Sequence, residues 1–407
     1  MKLLMQNNGY FKGKEKMILN SKQEQGLKEA IERYKNNERY TVISGYAGTG
    51  KSTLVRVIIE NLPGIDPDRD VVYACFTGKA AQVLLKKGNK NVMTLHKLLY
   101  ESIPRPDGTF FRRKKATIDY KVVVVDEVSM APKTLMELLF SHNVYIIALG
   151  DPFQLPPVDK DQDNGLLNSP QIFLDEIMRQ ELDSNIIQLS MKVRNHEPIE
   201  YFAGDDAMVM PKAKLNTGVL QWADQILVGV NATRVAINNQ MRTLFNRGSQ
   251  PEDGDKVICL RNYWEVFANN DDPLVNGTIG YIYNAYETYN KTPRWAGNQT
   301  IKVLRANFIS DSNADFGILQ MDEKQILTGE RCLDYRTIYK LQSNWRTQSL
   351  IPMEFTYGYA ITGHKSQGSE WDKVVVLEEK FPFEREEHAR WLYTCITRAS
   401  KKLILVR

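Results

Sequence analysis

The sequence predicts an α/β protein of two domains, each built on a parallel sheet. Three observations carry that expectation. Short runs rich in β-branched residues recur along the 407 residues, and several are apolar throughout, as strands covered on both faces are. Helix-like segments stand between many of them. The runs also fall into two groups, one ending near Gly150 and one beginning near Trp222.

In the first group, strands are expected at 41–44, 71–76, 122–125 and 145–149. Helical patterns at 23–34, 53–61 and 80–87 alternate with them. Strands at 226–230, 374–377 and 403–406 form the second group. Two stretches break the alternation. Residues 101–117 (ESIPRPDGTFFRRKKAT) contain Pro106-Asp107-Gly108, a turn in which proline presets φ and glycine permits a positive one. A small projecting hairpin is expected there. Residues 281–346 are polar and aromatic with β-type fragments, and are expected to be a small β insert in the second domain. The expected division is a flexible tail over 1–16, a first domain over 17–180 and a second over 181–407.

Composition narrows the class. Hydrophobic residues make up 43% and charged residues 25%, which is ordinary for a globular chain with a sizeable core. A net charge of +4 neither demands nor excludes a nucleic-acid partner. Its distribution says more: eleven Lys and Arg lie between Lys79 and Lys121 against Glu101, Asp107 and Asp119. Such a stripe can track phosphates, or it can be a solvated basic face. Cys75, Cys259, Cys332 and Cys395 are far apart and form no Cys-x-x-Cys pair, so neither a disulfide framework nor a zinc site is expected. The N-terminal apolar run is too short for a signal peptide, and no stretch nears the ~20 residues of a membrane span. A soluble protein of a reducing cytosol, without membrane contact, is the expectation.

The stretch GYAGTGKS, Gly45 to Ser52, matches G-x-x-x-x-G-K-[ST] between a strand and a helix, the context a phosphate loop needs. Backbone N–H groups of Gly45, Ala47, Gly48, Thr49 and Gly50 would wrap phosphates at the helix start, joined by Thr53. Lys51 should reach the β- and γ-phosphates of ATP, and Ser52 should bind Mg²⁺. The run VVVVDE, Val122 to Glu127, is an apolar strand ending in two carboxylates. Asp126 would hold Mg²⁺ and Glu127 would activate the attacking water; a pair that merely caps the next helix is the bland reading. Gln154, in ALGDPFQLPPV, sits where a side chain could sense the γ-phosphate or position the water, or simply meet solvent.

Taken in order, GYAGTGKST, FTGKAAQVL, TLHKLL, VVVDEVSM, LGDPFQLPPV, EIMRQ, ITGHKSQGSEWD and LYTCITRA resemble the superfamily 1 helicases, in detail the 5′-to-3′ branch with RecD-like and Dda-like enzymes. The resemblance covers nearly the whole chain. It implies two RecA-like motor domains in tandem. It makes Gln23 the adenine-reading glutamine, although Asn20 with Gln23 also reads as a capping box. It makes Arg179 and Arg398 arginine fingers on the transition-state charge. Thr77, Lys79, Thr94, His96 and Lys97 become DNA contacts of the first domain. Phe110 and Phe111 lie in the hairpin that the family uses as a strand-splitting pin, though these rings could as well pack on their own domain. The 281–346 insert takes the place of an SH3-like domain.

The late stretch AITGHKSQGSEWD has glycines and a lysine beside a serine, yet it is no second phosphate loop. By resemblance Thr362, His364 and Ser366 face DNA, while Gly368 and Glu370 face ATP. The expected function is an ATP- and Mg²⁺-dependent DNA helicase that moves 5′ to 3′ on single-stranded DNA and opens single-strand/duplex junctions. It is expected to act as a monomer, with single-strand-binding or replisome proteins as further partners. An RNA helicase or remodeller, a translocase that displaces proteins, and a P-loop kinase or NTPase indifferent to nucleic acid are the alternatives.

Overall fold

The computed structural model describes residues 19–104, 110–156, 160–178, 183–269, 273–380 and 384–407. The expected tail at 1–16 lies outside them. Two parallel sheets dominate the fold, as the apolar runs predict.

The first lobe opens with α1 (Ser21–Lys35) and β1 (Tyr40–Gly45), followed by α2 (Lys51–Asn61), β2 (Val71–Cys75), α3 (Gly78–Lys86), β3 (Val92–Thr94) and α4 (Leu95–Leu99). β4 (Tyr100–Pro104) and β5 (Phe110–Lys114) pair antiparallel, with Tyr100 opposite Lys114, as the hairpin expected at 101–117. Then come β6 (Val122–Val125), α5 (Lys133–Phe140), β7 (Tyr145–Gly150) and β8 (Ile172–Leu174). Among the described residues, six strands form one sheet in the order β3-β2-β6-β7-β1-β8. All of its pairings are parallel. All four residues of β6 and all six of β7 are buried, because helices cover both faces. One face packs on Ala30, Leu54 and Ile58 of α1 and α2. The other packs on Leu98, Leu135 and Leu139 of α4 and α5.

The second lobe begins with α6 (Asn185–Arg194), β9 (Phe202–Ala203), β10 (Ala207–Met210), α7 (Thr217–Trp222), β11 (Gln225–Val228) and α8 (Asn231–Leu244). Next comes a mostly antiparallel module: β12 (Lys256–Cys259), β13 (Tyr263–Phe267), β14 (Pro273–Leu274), β15 (Ile279–Lys291), β16 (Thr300–Ser310), β17 (Asp315–Met321), α9 (Glu323–Thr328), α10 (Tyr335–Gln342), α11 (Trp345–Gln348) and β18 (Phe355–Tyr357). The chain then returns through β19 (Ala360–Thr362), β20 (Trp371–Leu377), α12 (Arg385–Ile396) and β21 (Ala399–Val406). The second sheet has the order β19-β11-β20-β21-β10-β9, parallel except for its β9 edge. Ile186, Leu189 and Val193 of α6 join the core beneath it with Leu227, Trp391 and Leu403.

The insert is larger than expected. Its sheet, β17-β16-β15-β12-β18, recruits Lys256–Cys259 and Phe355–Tyr357 from outside 281–346. These two short strands pair antiparallel with each other, Val257 opposite Tyr357, across about a hundred residues of chain. No local pattern announces such a pairing. Inside the insert, β15 carries a bulge between Tyr283 and Tyr286, with Asn284 at φ 52°.

Candidate nucleotide site between two lobes

β1 ends at Gly45 and α2 starts at Lys51, so the loop between them presents the first turn of a helix to the cleft. Gly48 (φ 74°) and Gly50 (φ 78°) hold left-handed conformations that a side chain would oppose. A Cβ on Gly50 would also stand 2.5 Å from Nε2 of Gln23. Lys51 Nζ folds back on the loop and donates to the carbonyls of Gly45 (2.6 Å) and Tyr46 (2.8 Å). Burial lowers its pKa, and Asp151, Asp126 and Glu127 oppose that shift. Ser52 is exposed on the first turn of α2 and Thr53 is half-buried. The hydroxyl of Thr49 donates back to Tyr46 and holds the loop closed.

The structure shows the capping-box reading of Gln23. This residue forms a capping box with Asn20: each backbone N–H donates to the other's side-chain oxygen, at 3.1 and 2.8 Å. Its fully buried amide also donates to the carbonyl of Thr49 at 3.2 Å, which places it against the loop.

The acidic pair follows β6. Asp126 accepts from the backbone N–H of Glu127 at 2.9 Å. Glu127 has φ 49° and ψ 48°, a left-handed backbone that costs a non-glycine residue of order 1–3 kcal/mol and tends to survive where function needs it. Desolvation in the cleft raises the pKa of both carboxyls, and nearby cations oppose the rise. Oε2 of Glu127 is buried without a hydrogen-bond partner. Its Oε1 meets Arg398 Nη1 of the second lobe at 3.3 Å. Arg398 is 5% exposed and is further held by the carbonyls of Thr394 (3.1 Å) and Ser369 (3.2 Å). A cleft of about 250 Å³ collects Lys51, Asp126, Glu127, Gln154, Glu370 and Arg398. It continues past Lys87 and Glu370 into a wider gap of about 860 Å³ between the lobes. Lys256, buried in that gap, donates to the carbonyl of Asp224, and burial pushes its pKa down to about 8.

Sequence reasoning missed the residues that tie the lobes together. The hydroxyl of Tyr393 on α12 donates to Asp151 Oδ2 at 2.6 Å and accepts from the backbone N–H of Ala47 at 2.8 Å. The loop after β7 docks beside it. Leu155 N–H donates to the Thr394 hydroxyl, Gln367 donates to the Leu155 carbonyl, and Arg390 donates to the Pro152 carbonyl. On the other flank, the Arg194 guanidinium lies 3.7 Å from the ring centroid of Tyr46. Tyr393, Asp151 and Leu155 all sit inside quoted motifs, so their positions carried a signal even though their roles did not.

The late motif is a contact between the lobes. Gly368 (φ 73°) lies so close to the first lobe that a Cβ there would stand 2.7 Å from Thr77 Oγ1 and 3.1 Å from Glu127 Oε2. Glu370 pairs with Lys87 at 3.1 Å. Both line the cleft with the phosphate loop.

The expected strand contacts divide. Lys97 is exposed, His96, Thr362 and His364 are half-buried, and burial lowers the His364 pKa. The imidazole of His96 has the rings of Phe76 and Tyr100 as neighbours, with centroids 5.8 and 6.2 Å away. Thr77 and Thr94 spend their hydroxyls as N-caps of α3 and α4, and Thr94 is buried. Two expectations are corrected. Ser366 is fully buried and donates to the carbonyl of Gly363, so it cannot face a strand. Lys79 is not open on the basic stripe: it is 8% exposed and paired with both carboxylate oxygens of Asp311, just past the end of β16. Phe110 and Phe111 lie on β5, but their side chains lie outside the described residues, as does Arg179. The neighbouring Met178 donates its N–H to the Gly48 carbonyl at 2.9 Å, which brings the chain at that point to the phosphate loop.

Residues of this kind fit a nucleotide and its metal. The helix-start loop offers backbone N–H groups, Lys51 offers a cation, and the unpartnered Oε2 of Glu127 faces the same cleft. Among the described residues no three His, Cys, Asp or Glu converge on a cation site. Mg²⁺ in such sites rests on one or two protein ligands plus phosphates; Asp126, which lines the cleft, and Ser52, on the first turn of α2, are the residues that would hold it.

Two parallel-sheet lobes that share one phosphate loop, an acidic pair and an arginine from the opposite lobe define a P-loop NTPase of the two-lobed motor type. Residues 18–208 match the model of an AAA domain, and residues 357–406 match the UvrD-like helicase C-terminal domain. The relatives the chain matches include DNA helicases of the RecD, Dda and Pif1 kinds. The chain is 25% identical over 390 residues to the ATP-dependent RecD2 DNA helicase of Deinococcus radiodurans, a match covering 89% of this chain and 46% of that protein. It is 30% identical over 175 residues to the ATP-dependent DNA helicase dda of Enterobacteria phage T4, covering 40% of this chain and 39% of that one. The chain thus spans less than half the length of both relatives in these matches. The fold is similar to that of Bacteroides Pif1 helicase solved with ADP-AlF3 and ssDNA, with TM-score 0.50, 17% identity, and 96% and 92% of the two chains covered.

No helix among the described residues is long and apolar enough to cross a membrane.

Proposed function

We propose that the chain is an ATP-driven DNA helicase that moves 5′ to 3′ along single-stranded DNA and parts the duplex ahead of it. The observation that carries this reading is the ion pair between Arg398 and Glu127, which makes one nucleotide site out of two lobes. A small-molecule kinase or NTPase has no use for a second lobe that completes the site and extends into a wide interlobe gap.

Each residue then has a task. The loop amides and Lys51 hold the β- and γ-phosphates. Ser52 and Asp126 hold Mg²⁺, which neutralises phosphate charge when bound. Glu127 takes the proton of the attacking water as its oxygen bonds to the γ-phosphorus and the bond to ADP breaks, and Gln154 orients that water. Arg398 and Arg179 stabilise the charge on the transferring group. Gln23 reads the base. Because Arg398, Tyr393 and Gly368 belong to the second lobe, nucleotide occupancy and lobe closure are one event, and the strand feels it through Thr362 and His364 beside Gly368. The β4–β5 hairpin serves as the pin and the β12–β18 sheet as the SH3-like domain that closes over the strand.

Forked substrates with either a 5′ or a 3′ tail, in DNA and RNA versions, test the proposal, with Lys51→Ala as control. Unwinding of the 5′-tailed DNA fork alone is expected. Preference for RNA, the opposite polarity, or ATP turnover indifferent to nucleic acid would each overturn it.

A further inference from the structure

The far end of the insert carries a surface that the nucleotide site does not use. Helix α10 buries Ile338 and Leu341 against Ile301 and Val303 of β16. Its opposite side shows Tyr335 and Tyr339, which are 72% and 76% exposed and stand one turn apart. Trp345, at the start of α11, is 48% exposed. Cations accompany these rings. The guanidinium of Arg331 lies 4.6 Å from the centroid of Tyr335, and that of Arg346 lies 5.3 Å from that of Trp345. Arg336 and Lys340 form a second exposed pair one turn apart. Arg331 is shared with Glu354. No carboxylate pairs with Arg336, Lys340 or Arg346 among the described residues.

We propose that the α10–α11 surface is a second contact for single-stranded nucleic acid, in which Tyr335 and Tyr339 stack on unpaired bases while Arg336 and Lys340 meet phosphates. Open aromatic rings interleaved with unneutralised cations are what sequence-tolerant single-strand binding requires, because every base has a face to stack and every linkage a charge. A helix rises 1.5 Å per residue, so residues four apart are separated by ~6 Å along the axis, and each ring can take the face of a different base of an extended strand. A duplex keeps its base faces covered. A protein partner would more readily be matched by apolar anchors without a surplus of one charge.

The surface also lies where a strand leaving the cleft could reach it. β16 joins the two regions: Asp311, just past its end, holds Lys79, while α10 packs on Val303. At 3.3 Å per residue those points are roughly 26 Å apart. The inference rests on the reading of the chain as a strand-tracking motor, and length of strand separates the two.

Fluorescence anisotropy with oligothymidylates of about 8 and about 30 nucleotides provides the test, the shorter being within the footprint of one small binding module. The Tyr335→Ala/Tyr339→Ala variant is expected to bind the long oligomer about tenfold more weakly and the short one within about twofold of the parent. Tyr335→Phe/Tyr339→Phe, which keeps the rings, is expected to restore the long-oligomer affinity. Arg336→Gln/Lys340→Gln is expected to lower the salt slope for the long oligomer by about 1.4, at ~0.7 per phosphate. Unchanged affinity for the long oligomer would overturn the inference and leave the surface to a protein partner. An equal loss on both lengths would overturn it too. Absence of binding by the parent chain at either length would instead overturn the motor reading itself.

Discussion

Arg398 Nη1 lies 3.3 Å from Oε1 of Glu127, joining residues 271 positions apart across the cleft. The arginine expected to act on the transferring phosphoryl group therefore rests on the carboxylate expected to activate water. Each neutralises the other, and a bound γ-phosphate would compete with Glu127 for the guanidinium.

Replacing Arg398 with Ala should cut ATP turnover by ~10³–10⁵, the usual effect of losing an arginine finger. Nucleotide binding should persist, because the loop and Lys51 belong to the first lobe. Arg398→Lys should not restore turnover, since the buried guanidinium also reaches the Ser369 carbonyl and Thr397 hydroxyl with a fork that an ammonium lacks. Steady-state ATPase assays alongside binding of a labelled nucleotide analogue measure both quantities. Turnover within tenfold of the parent would remove Arg398 from the site.

A stability prediction follows from the carboxylates. Desolvation raises the folded-state pKa of Asp126. For an acid shifted upward, the ionised form is disfavoured by folding, so stability falls as pH rises through the raised pKa. Asp126→Asn should then raise Tm by about 2–4 °C near neutral pH while abolishing Mg²⁺-dependent turnover. The gain should fade as pH drops to about 4 and below, where the parent carboxyl is protonated in both states. Thermal melts across that range decide the matter; a gain constant with pH would assign the effect to something other than the charge.

These two predictions differ in how much of them the sequence disclosed. Lys51, Asp126 and Glu127 were legible because a phosphate loop and a strand-end acid are local devices, each written into a few consecutive residues. The strands at 122–125 and 145–149 were legible for the same reason: burial on both faces needs an unbroken apolar run. What failed was long-range. The insert's true margins depend on Val257 meeting Tyr357. Lys79 was read as open because its partner, Asp311, is 232 residues away. Ser366 was read as facing a strand because side-chain direction in a short 3₁₀ turn is set by what packs on it.

Tyr393 offers a test of coupling between the lobes. Its hydroxyl bridges Asp151 and the Ala47 amide, and burial with the Asp151 charge holds its phenol well above the ordinary range, so it stays a donor at any physiological pH. Tyr393→Phe keeps the ring, including its edge contact with Phe153, and removes only the bridge. Hydrogen bonds to a charged group are worth ~1.5–3 kcal/mol. Basal ATPase should stay within a few-fold of the parent, while stimulation by single-stranded DNA should fall about tenfold or more. Comparing turnover with and without saturating oligothymidylate gives the ratio. An unchanged ratio would mean that the bridge is structural only.

The pairing of Lys79 with Asp311 sets the last expectation. Both side chains are largely shielded, and the carboxylate occupies the place a DNA phosphate would take if Lys79 is a strand contact. Asp311 then competes with the strand, and the insert must release Lys79 before DNA can engage it. Asp311→Asn keeps the shape and one acceptor while removing the competing charge, so affinity for single-stranded DNA should rise about tenfold, equivalent to ~1.4 kcal/mol. Lys79→Gln should weaken binding and reduce the salt slope by ~0.7, one phosphate's share. The double variant should bind like Lys79→Gln alone, because Asp311 acts only through the lysine. Titrations at several salt concentrations measure all three. If Asp311→Asn binds DNA no more tightly than the parent while its Tm is unchanged, the pair is a structural clasp between the lobes and Lys79 has no part in holding the strand.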